Sequence, residues 1–368
     1  MKKLLLTTAA CGLVLSAAPA SAEGVELNVG GFFKGYGAFV DQDETAGNAV
    51  NDFDMIRYTE VHLGGETTLD NGLTVGAHIE TAADGQDAFE VDESYVYFSG
   101  GWGRVNVGAE DGAGYLLQVA APSADSNIDG IRQYVQPVNY SILGGAAPAT
   151  GDVANGLDYD MDITGKADKV TYLSPIMSGF QVGLTYSPDS DASDDFEGVG
   201  NDDQADTAGA AYEAAVRYEG EFEGVGVNLG AGYALVENEN ENTATSDDRE
   251  AWNVGADLNF GAFGLGVIYT EDNGSGTTVG TDVSEEETLV VGVDYTTGAF
   301  KLGASYFDQE NSFNVQDDET TRYSGGVTYT YGPGMTFRGS IGYVEHEDAA
   351  AANDVDATYV TLGTQINF

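Results

Sequence analysis

From residue 26 to the carboxyl end, apolar and polar positions alternate in short runs, the period of a β-strand whose two faces meet different surroundings. Val225, Val227, Leu229, Ala231, Tyr233 and Leu235 share one parity, with Gly226, Asn228, Gly230 and Gly232 on the other. Trp252, Val254, Ala256, Leu258 and Phe260 oppose Asn253, Gly255, Asp257 and Asn259 in the same way, and Phe300, Leu302, Ala304 and Tyr306 repeat the pattern. The alternation predicts sixteen strands, over 26–40, 55–69, 72–80, 92–99, 103–110, 166–174, 179–186, 210–219, 225–236, 249–260, 263–270, 287–296, 299–308, 321–331, 335–345 and 357–368.

The connections alternate in length. Seven are tight and rich in Gly, Asn or Pro, the chemistry of hairpin turns: 70–72, 100–102, 174–178, 220–224, 261–262, 297–298 and 332–334. Between them lie eight longer acidic stretches, at 41–54, 81–91, 111–165, 187–209, 237–248, 271–286, 309–320 and 346–356. Short turns at one rim and long loops at the other predict an all-β fold, a transmembrane antiparallel up-and-down β-barrel of 16 strands with both termini on the short-turn side. An even strand number lets the last strand close on the first without an edge.

Charge tests which face meets lipid, because a Lys or Arg facing mid-bilayer costs roughly 2–4 kcal/mol. With the apolar parity outward, Lys34, Arg104, Lys169, Arg217, Arg322 and Arg338 all point inward, as do Glu80, Glu110, Glu213, Asp257 and Asp294. Arg57 breaks the rule, which predicts that it lies above the bilayer or beyond a bulge at Gly64 and Gly65. Aromatics gather near strand ends (Tyr329, Tyr331, Phe337, Tyr343, Phe368), as interfacial girdles require.

At the amino end Lys2 and Lys3 precede an apolar run that finishes in Ala20-Ser21-Ala22, a secretory signal with a small-residue cleavage site. Residues 1–22 are expected to be removed, leaving 23–368 as a single barrel domain without its lone cysteine, Cys11, and so without disulfides. The leader carries two lysines and no acid, so its loss makes the net charge of −48 more negative by two. Such acidity excludes nucleic acid as a partner, since binding there rests on clustered bases. Fifty-one glycines and 37 tyrosines and phenylalanines (21 and 16) argue for a folded β-rich chain over a disordered one. A soluble sandwich would bury its apolar parity, and a calcium-binding solenoid would show short glycine-aspartate repeats that the sequence lacks.

The sequence resembles the general porins of Gram-negative outer membranes, most closely the alphaproteobacterial ones, over the whole mature chain. Segments 25–40 (VELNVGGFFKGYGAFV), 65–77 (GETTLDNGLTVGA), 95–110 (YVYFSGGWGRVNVGAE), 169–186 (KVTYLSPIMSGFQVGLTY) and 359–368 (YVTLGTQINF) carry the resemblance. The last is the most specific, since it looks like the family's closing strand, whose terminal Phe is read by the barrel-insertion machinery. The resemblance implies a homotrimer in outer-membrane lipid and lipopolysaccharide, each barrel passing small hydrophilic solutes and ions by passive diffusion.

It also implies that the third loop, here 111–165, folds inward and narrows the channel, in keeping with the functional use of long loops. The family sets loop carboxylates against wall cations. Lys34, Arg104 and Lys169 on the wall and Asp125 and Asp129 on the loop, among the further loop acids Asp152, Asp158, Asp160 and Asp162, are the candidate constriction residues. Wall cations are few and acids many, which predicts a negative lumen and cation preference. No cofactor is expected, beyond Ca²⁺ or Mg²⁺ that acidic loops such as 187–209 could gather. Two further classes stay open. A barrel enzyme would draw on His62 or His78, which share the inward parity with Glu60 and Glu80, while His346 stands apart; yet no Ser lies in a G-x-S-x-G context. A substrate-specific channel or an adhesion receptor would use the same architecture.

Overall fold

The computed structural model describes residues 25–44, 49–84, 89–140, 156–190, 208–239, 248–274, 285–313, 316–347 and 354–368. The leader and Cys11 lie outside them, as do the centres of most of the acidic loops.

One antiparallel sheet closes on itself through β1 (Asn28–Gln42), β2 (Phe53–Thr68), β3 (Thr74–Ala82), β4 (Glu90–Gly100), β5 (Gly103–Ala109), β6 (Asp168–Leu173), β7 (Phe180–Ser187), β8 (Ala208–Phe222), β9 (Val225–Asn238), β10 (Arg249–Phe260), β11 (Phe263–Asp272), β12 (Glu285–Thr297), β13 (Phe300–Phe313), β14 (Gln316–Gly332), β15 (Met335–Glu347) and β16 (Val355–Asn367). Each strand pairs with its sequence neighbours. β16 returns to β1 from Phe32↔Asn367 to Gln42↔Ala357, and Gly31 and Phe368 then exchange two backbone bonds of 3.0 Å. Closure leaves no open edge to satisfy.

The outward parity is an apolar surface. Val96, Val107, Val182, Leu184, Leu229, Val254, Leu265, Val293, Leu302, Ile341 and Leu362 are all exposed, a belt that water would not tolerate and hydrocarbon would. Two rings of aromatics bound it. Phe180 and Tyr218, Phe263 and Tyr295, and Phe300 and Tyr329 pair at the short-turn rim, with ring centroids 4.7–4.8 Å apart. Phe39 and Phe53, Tyr186 and Tyr212, Trp252 and Tyr269, and Tyr306 and Tyr323 pair at the other rim. Along one strand the rings fall six to eight residues apart, as from Tyr306 to Phe300 or Trp252 to Phe260. At about 3.3 Å per residue that is roughly 20–26 Å measured along the tilted strand, the scale of a lipid-facing band.

Three local features depart from the alternation. β13 and β14 pair without interruption from Phe300↔Tyr329 to Phe313↔Gln316, so most of the acidic loop expected at 309–320 is ladder. Above the aromatic ring polar residues occupy nearly every position, and the alternation disappears although the strand does not. Arg57 faces outward near the loop end of β2, 64% exposed, and bonds Asp84 at 3.1 Å; pairing through Gly64 and Gly65 is continuous, so no bulge shifts its parity. A bulge does occur between β3 and β4, where Glu80 pairs Glu93 and Thr81 pairs Val91, leaving Asp92 as the extra residue.

The hairpins follow turn chemistry closely. β12 and β13 join through Gly298 (φ +60°) and Ala299, one residue later than the sequence suggests. β8 and β9 join through Glu223 and Gly224, both left-handed at φ +51° and +85°. Nothing lies within 4 Å of a Cβ placed on Gly224, so its cost there would be backbone strain alone. Gly224→Val is therefore expected to lower unfolding stability by about 1–2 kcal/mol in a urea titration, and Glu223→Gly to raise it. Unchanged midpoints in both would remove the turn assignment.

Candidate functional site

The third loop leaves β5 and turns into the barrel. It carries two single-turn helices, α1 (Ala113–Leu116) and α2 (Ser126–Asp129), the second capped by the Asp125 carboxylate, which accepts from Asn127 N. Its roots are tied to the wall. The Glu213 carboxylate of β8 accepts from Gly114 N at 2.8 Å on the entering arm and from Thr164 Oγ1 at 2.7 Å on the returning one. Lys169 donates to the carbonyls of Glu110 and Gly165 at the two ends of the loop, and Thr185 Oγ1 accepts from Ala113 N at 2.9 Å.

Between these roots and the tip, the loop runs along inward-facing glycines. A Cβ on Gly183 would sit 2.9 Å from the Ala113 side chain, on Gly230 2.8 Å from Val119, on Gly266 2.5 Å from Pro122, on Gly292 1.9 Å from the Pro122 carbonyl and on Gly303 2.5 Å from Ala124 N. The polar parity of β7 to β13 thus contains a smooth track on which backbone meets backbone.

At the end of the track Asp125 is fully buried. Its carboxylate accepts from the Tyr36 hydroxyl at 3.0 and 3.2 Å and from Arg338 Nη1 at 2.7 Å. Asn127 extends the contact, donating to Tyr36 and to Gln365 of β16. Tyr36 fits because its partner across the seam is Gly363, where a Cβ would lie 2.2 Å from the ring. Asp129 is buried against Arg322 at 3.5 Å, and Arg322 Nη1 donates to the Ile128 carbonyl at 3.0 Å. Burial, opposed by Arg322, raises the Asp129 carboxyl to about 6.

Of the five candidate constriction residues the structure brings Lys34 and Asp125 to one region and seats Asp129 beside Asp125. Lys34 is 4% exposed, its Nζ 2.9 Å from the centroid of Tyr134 and 3.9 Å from that of Phe32. Arg104 stands elsewhere, bonded to Asn106 and stacked 3.8 Å over Tyr97, and Lys169 is the root anchor already described. Lys34, Arg104 and Lys169 form no ion pair with a loop carboxylate among the described residues; the wall cations that do are Arg322 and Arg338.

A second set of charges inside the barrel, buried to about one-fifth exposed, reverses the expected polarity. Arg132 and Lys166 project from the loop and its root, while Glu60, Glu80, Asp92 and Glu93 project from β2 to β4. Arg132 bonds Asp111 and Asp160 at 2.8 Å each and also Asp162, and lies 4.3 Å over Tyr115. Lys166 bridges Glu93 at 2.8 Å and Asp111. Burial works to raise Asp111, but Arg132 and Lys166 outweigh it and hold the carboxyl low. Asp162 rises well above the usual range, because burial and the Asp111 charge exceed what one shared guanidinium neutralises. Arg132 has a signal in sequence, as the sole base in 111–165, yet nothing there shows which acids it gathers.

On the returning arm a cavity of about 310 Å³ opens toward β10 to β13, lined by Asp158, Asp160, Asp162, Asp272 and Glu286 with Arg249 as its base. Burial, reinforced by Asp160, pushes the Asp158 carboxyl up to about 6. The acidic loop 187–209, where divalent ions were expected, lies almost wholly outside the described residues, as does Asp152.

Two substitutions test the seating of the loop. Asp125→Ala leaves Arg338 and Tyr36 without their buried partner, a loss of roughly 3–5 kcal/mol, and Gly292→Val forces a side chain into the Pro122 carbonyl, at about 1–3 kcal/mol. Both are expected to make 111–165 cleavable by protease in an otherwise intact barrel. A loop equally resistant in both variants would show that these contacts do not hold it.

A family model described as Gram-negative porin matches residues 7–363. No curated protein matches the chain. Among solved structures, the anion-selective porin from Comamonas acidovorans has a TM-score of 0.66 at 18% identity, over 94% of this chain and 100% of that one. The trimer form of OmpT, an outer membrane protein of Vibrio cholerae, has a TM-score of 0.63 at 14% identity, with 94% and 100% covered. A mutant of the Rh. blastica porin has a TM-score of 0.55 at 16% identity, with 93% and 100% covered. At these identities the likeness shows the fold, while the family match extends over nearly the whole chain. With a closed barrel, a lipid-facing belt and an inward loop, the chain belongs to the Gram-negative porins, the β-barrel channels of the outer membrane.

Proposed function

We propose that this porin passes small hydrophilic solutes and ions by passive diffusion with a preference for cations, as a homotrimer whose termini face the periplasm. The observation that carries the selectivity is the fate of the lumen charges. Arg322 and Arg338 are spent on buried loop acids and Lys34 is enclosed by aromatic rings, whereas Glu80, Asp92, Asp158 and Asp160 keep partial access to the lumen. Carboxylates in a narrow, low-dielectric cleft concentrate cations, and salt screens the effect as the Debye length falls from about 30 Å at 0.01 M to about 3 Å at 1 M. The Comamonas porin is named anion-selective, so the fold permits either sign and lumen charge decides. The trimer rests on the family resemblance and on a neighbour solved as a trimer.

Zero-current potentials in planar bilayers are expected to show cation preference that is strongest in dilute salt. Acid weakens it in two stages. A carboxyl raised to about 6 is charged at pH 7 and protonated at pH 5, so Asp158 removes part of the preference in that interval. Unperturbed carboxyls follow only near pH 4. Anion preference at low salt and neutral pH would overturn the reading.

The orientation has its own test. Epitope tags inserted near 195, 243 and 278 are expected to bind antibody on intact cells, and tags at Asn71 or Gly298 to stay hidden until the outer membrane is opened. Surface labelling at Asn71 would reverse the topology.

A further inference from the structure

The wall of β2 and β3 holds two histidines to which the channel reading gives no role, grouped around Glu80. His62 lies directly across from Glu80 in the register, and His78 lies two residues from Glu80 on the same inward face. Opposite His78 is Gly64, and a Cβ there would stand 3.4 Å from His78 Nδ1, so the missing side chain gives the imidazole room to lean toward its neighbours. Glu80 Oε1 is 2.6 Å from His78 Nε2 and 3.5 Å from His62 Nδ1. The other nitrogen of His62, Nε2, is 3.3 Å from Glu60 Oε2.

We propose that His62, His78 and Glu80 form a lumen-facing site for a divalent transition ion, with Zn²⁺ as its representative. One ligand atom from each residue lies within 4.8 Å of the others, and a tetrahedral zinc with bonds near 2.0–2.1 Å spaces its ligand atoms by about 3.4 Å. His62 supplies the sharper argument. Both of its nitrogens face carboxylate oxygens, whereas a neutral imidazole has one N–H and one bare nitrogen. A cation between Nδ1 and Glu80 removes the mismatch and leaves Nε2–H to donate to Glu60, the outer carboxylate that orients metal-bound histidines.

The surroundings fit. Phe32 meets the His62 ring edge-on at 5.7 Å and Tyr95 covers His78 at 5.3 Å, which fixes both planes. The β3–β4 bulge turns Asp92 inward, so that Glu60, Glu80 and Asp92 oxygens also approach within 4.8 Å and add negative charge beside the ion. Side-chain exposures of 19%, 12% and 19% for His62, His78 and Glu80 leave the cluster open to the lumen, with a fourth position for water. Two imidazoles select borderline ions over Ca²⁺ and Mg²⁺, which prefer all-oxygen shells.

The test uses purified protein in detergent, with Co²⁺ as a spectroscopic probe and Zn²⁺ as competitor. The wild type is expected to bind one Co²⁺ per chain with the visible bands of a four-coordinate ion, displaced by Zn²⁺ and not by excess Ca²⁺. His78→Gln and His62→Gln are each expected to weaken binding by about 100-fold or more, and Glu60→Gln by on the order of 10-fold. Circular dichroism checks that each variant keeps its barrel. Absence of the bands in the wild type, or equal binding by a folded His62→Gln/His78→Gln double variant, would overturn the proposal. Neither readout depends on conduction, so the site and the channel reading can fail separately.

Discussion

Backbone N–H and C=O groups find no water in hydrocarbon, and a sheet that spans a bilayer must therefore satisfy every one of them within itself. In this chain that demand is met at the seam between β1 and β16, where eleven register pairs and the exchange between Gly31 and Phe368 complete the ladder. Everything else about the side chains follows from the closure. Once the sheet is a cylinder, one parity of each strand has lipid to face and the other has an enclosed aqueous space. A single alternation thus determines an apolar belt outside and a polar lining inside.

The seam is also where the loop is held. Tyr36 and Lys34 on β1, Arg338 on β15 and Gln365 on β16 all lie near the closure, and all take part in seating the tip of 111–165 or stand beside it. A buried carboxylate that accepts from one hydroxyl and one guanidinium is costly to leave unpaired, so the tip is held to that part of the wall. The glycines of β7 to β13 do the complementary work by letting the loop backbone lie against the strands. Steric permission along the track and an electrostatic anchor at its end fix the loop together.

The barrel was legible in the sequence because its signal is local: period two, turn residues at set intervals, and one parity free of charge. β10 has the bounds that the alternation gives, Arg249–Phe260. The signal weakens wherever lipid stops being the outer solvent. Beyond Asp308 on β13 and before Thr321 on β14 the residues are nearly all polar whichever face they take, and the continuing ladder reads as loop. The inward position of Asp92 was invisible for a different reason, since a one-residue bulge reverses parity without changing composition. Lys34 and Asp125 could be singled out, but the partner of Asp125 is Arg338, 213 residues away, and no spacing rule relates them. The glycine track was present in the polar parity at 230, 232 and 255; its purpose needs the loop in place.

A charge count on the sequence treats every Lys and Arg as equally able to offset an acid, and the structure shows why that is wrong. Arg338 and Arg322 sit within the seam between loop and wall, their fields largely cancelled by Asp125 and Asp129. Lys34 is closed in by Phe32 and Tyr134, and Arg132 is divided among three carboxylates. The acids are arranged differently: Glu60, Glu80, Asp92 and Glu93 crowd one stretch of wall, with Lys166 the base in direct contact with that group among the described residues. Cations have been used to fasten the loop, and carboxylates line what the loop leaves open. Pairing cancels acid and base alike, so what distinguishes this stretch of wall is where the charges stand, and the same crowding sets two histidines among its carboxylates.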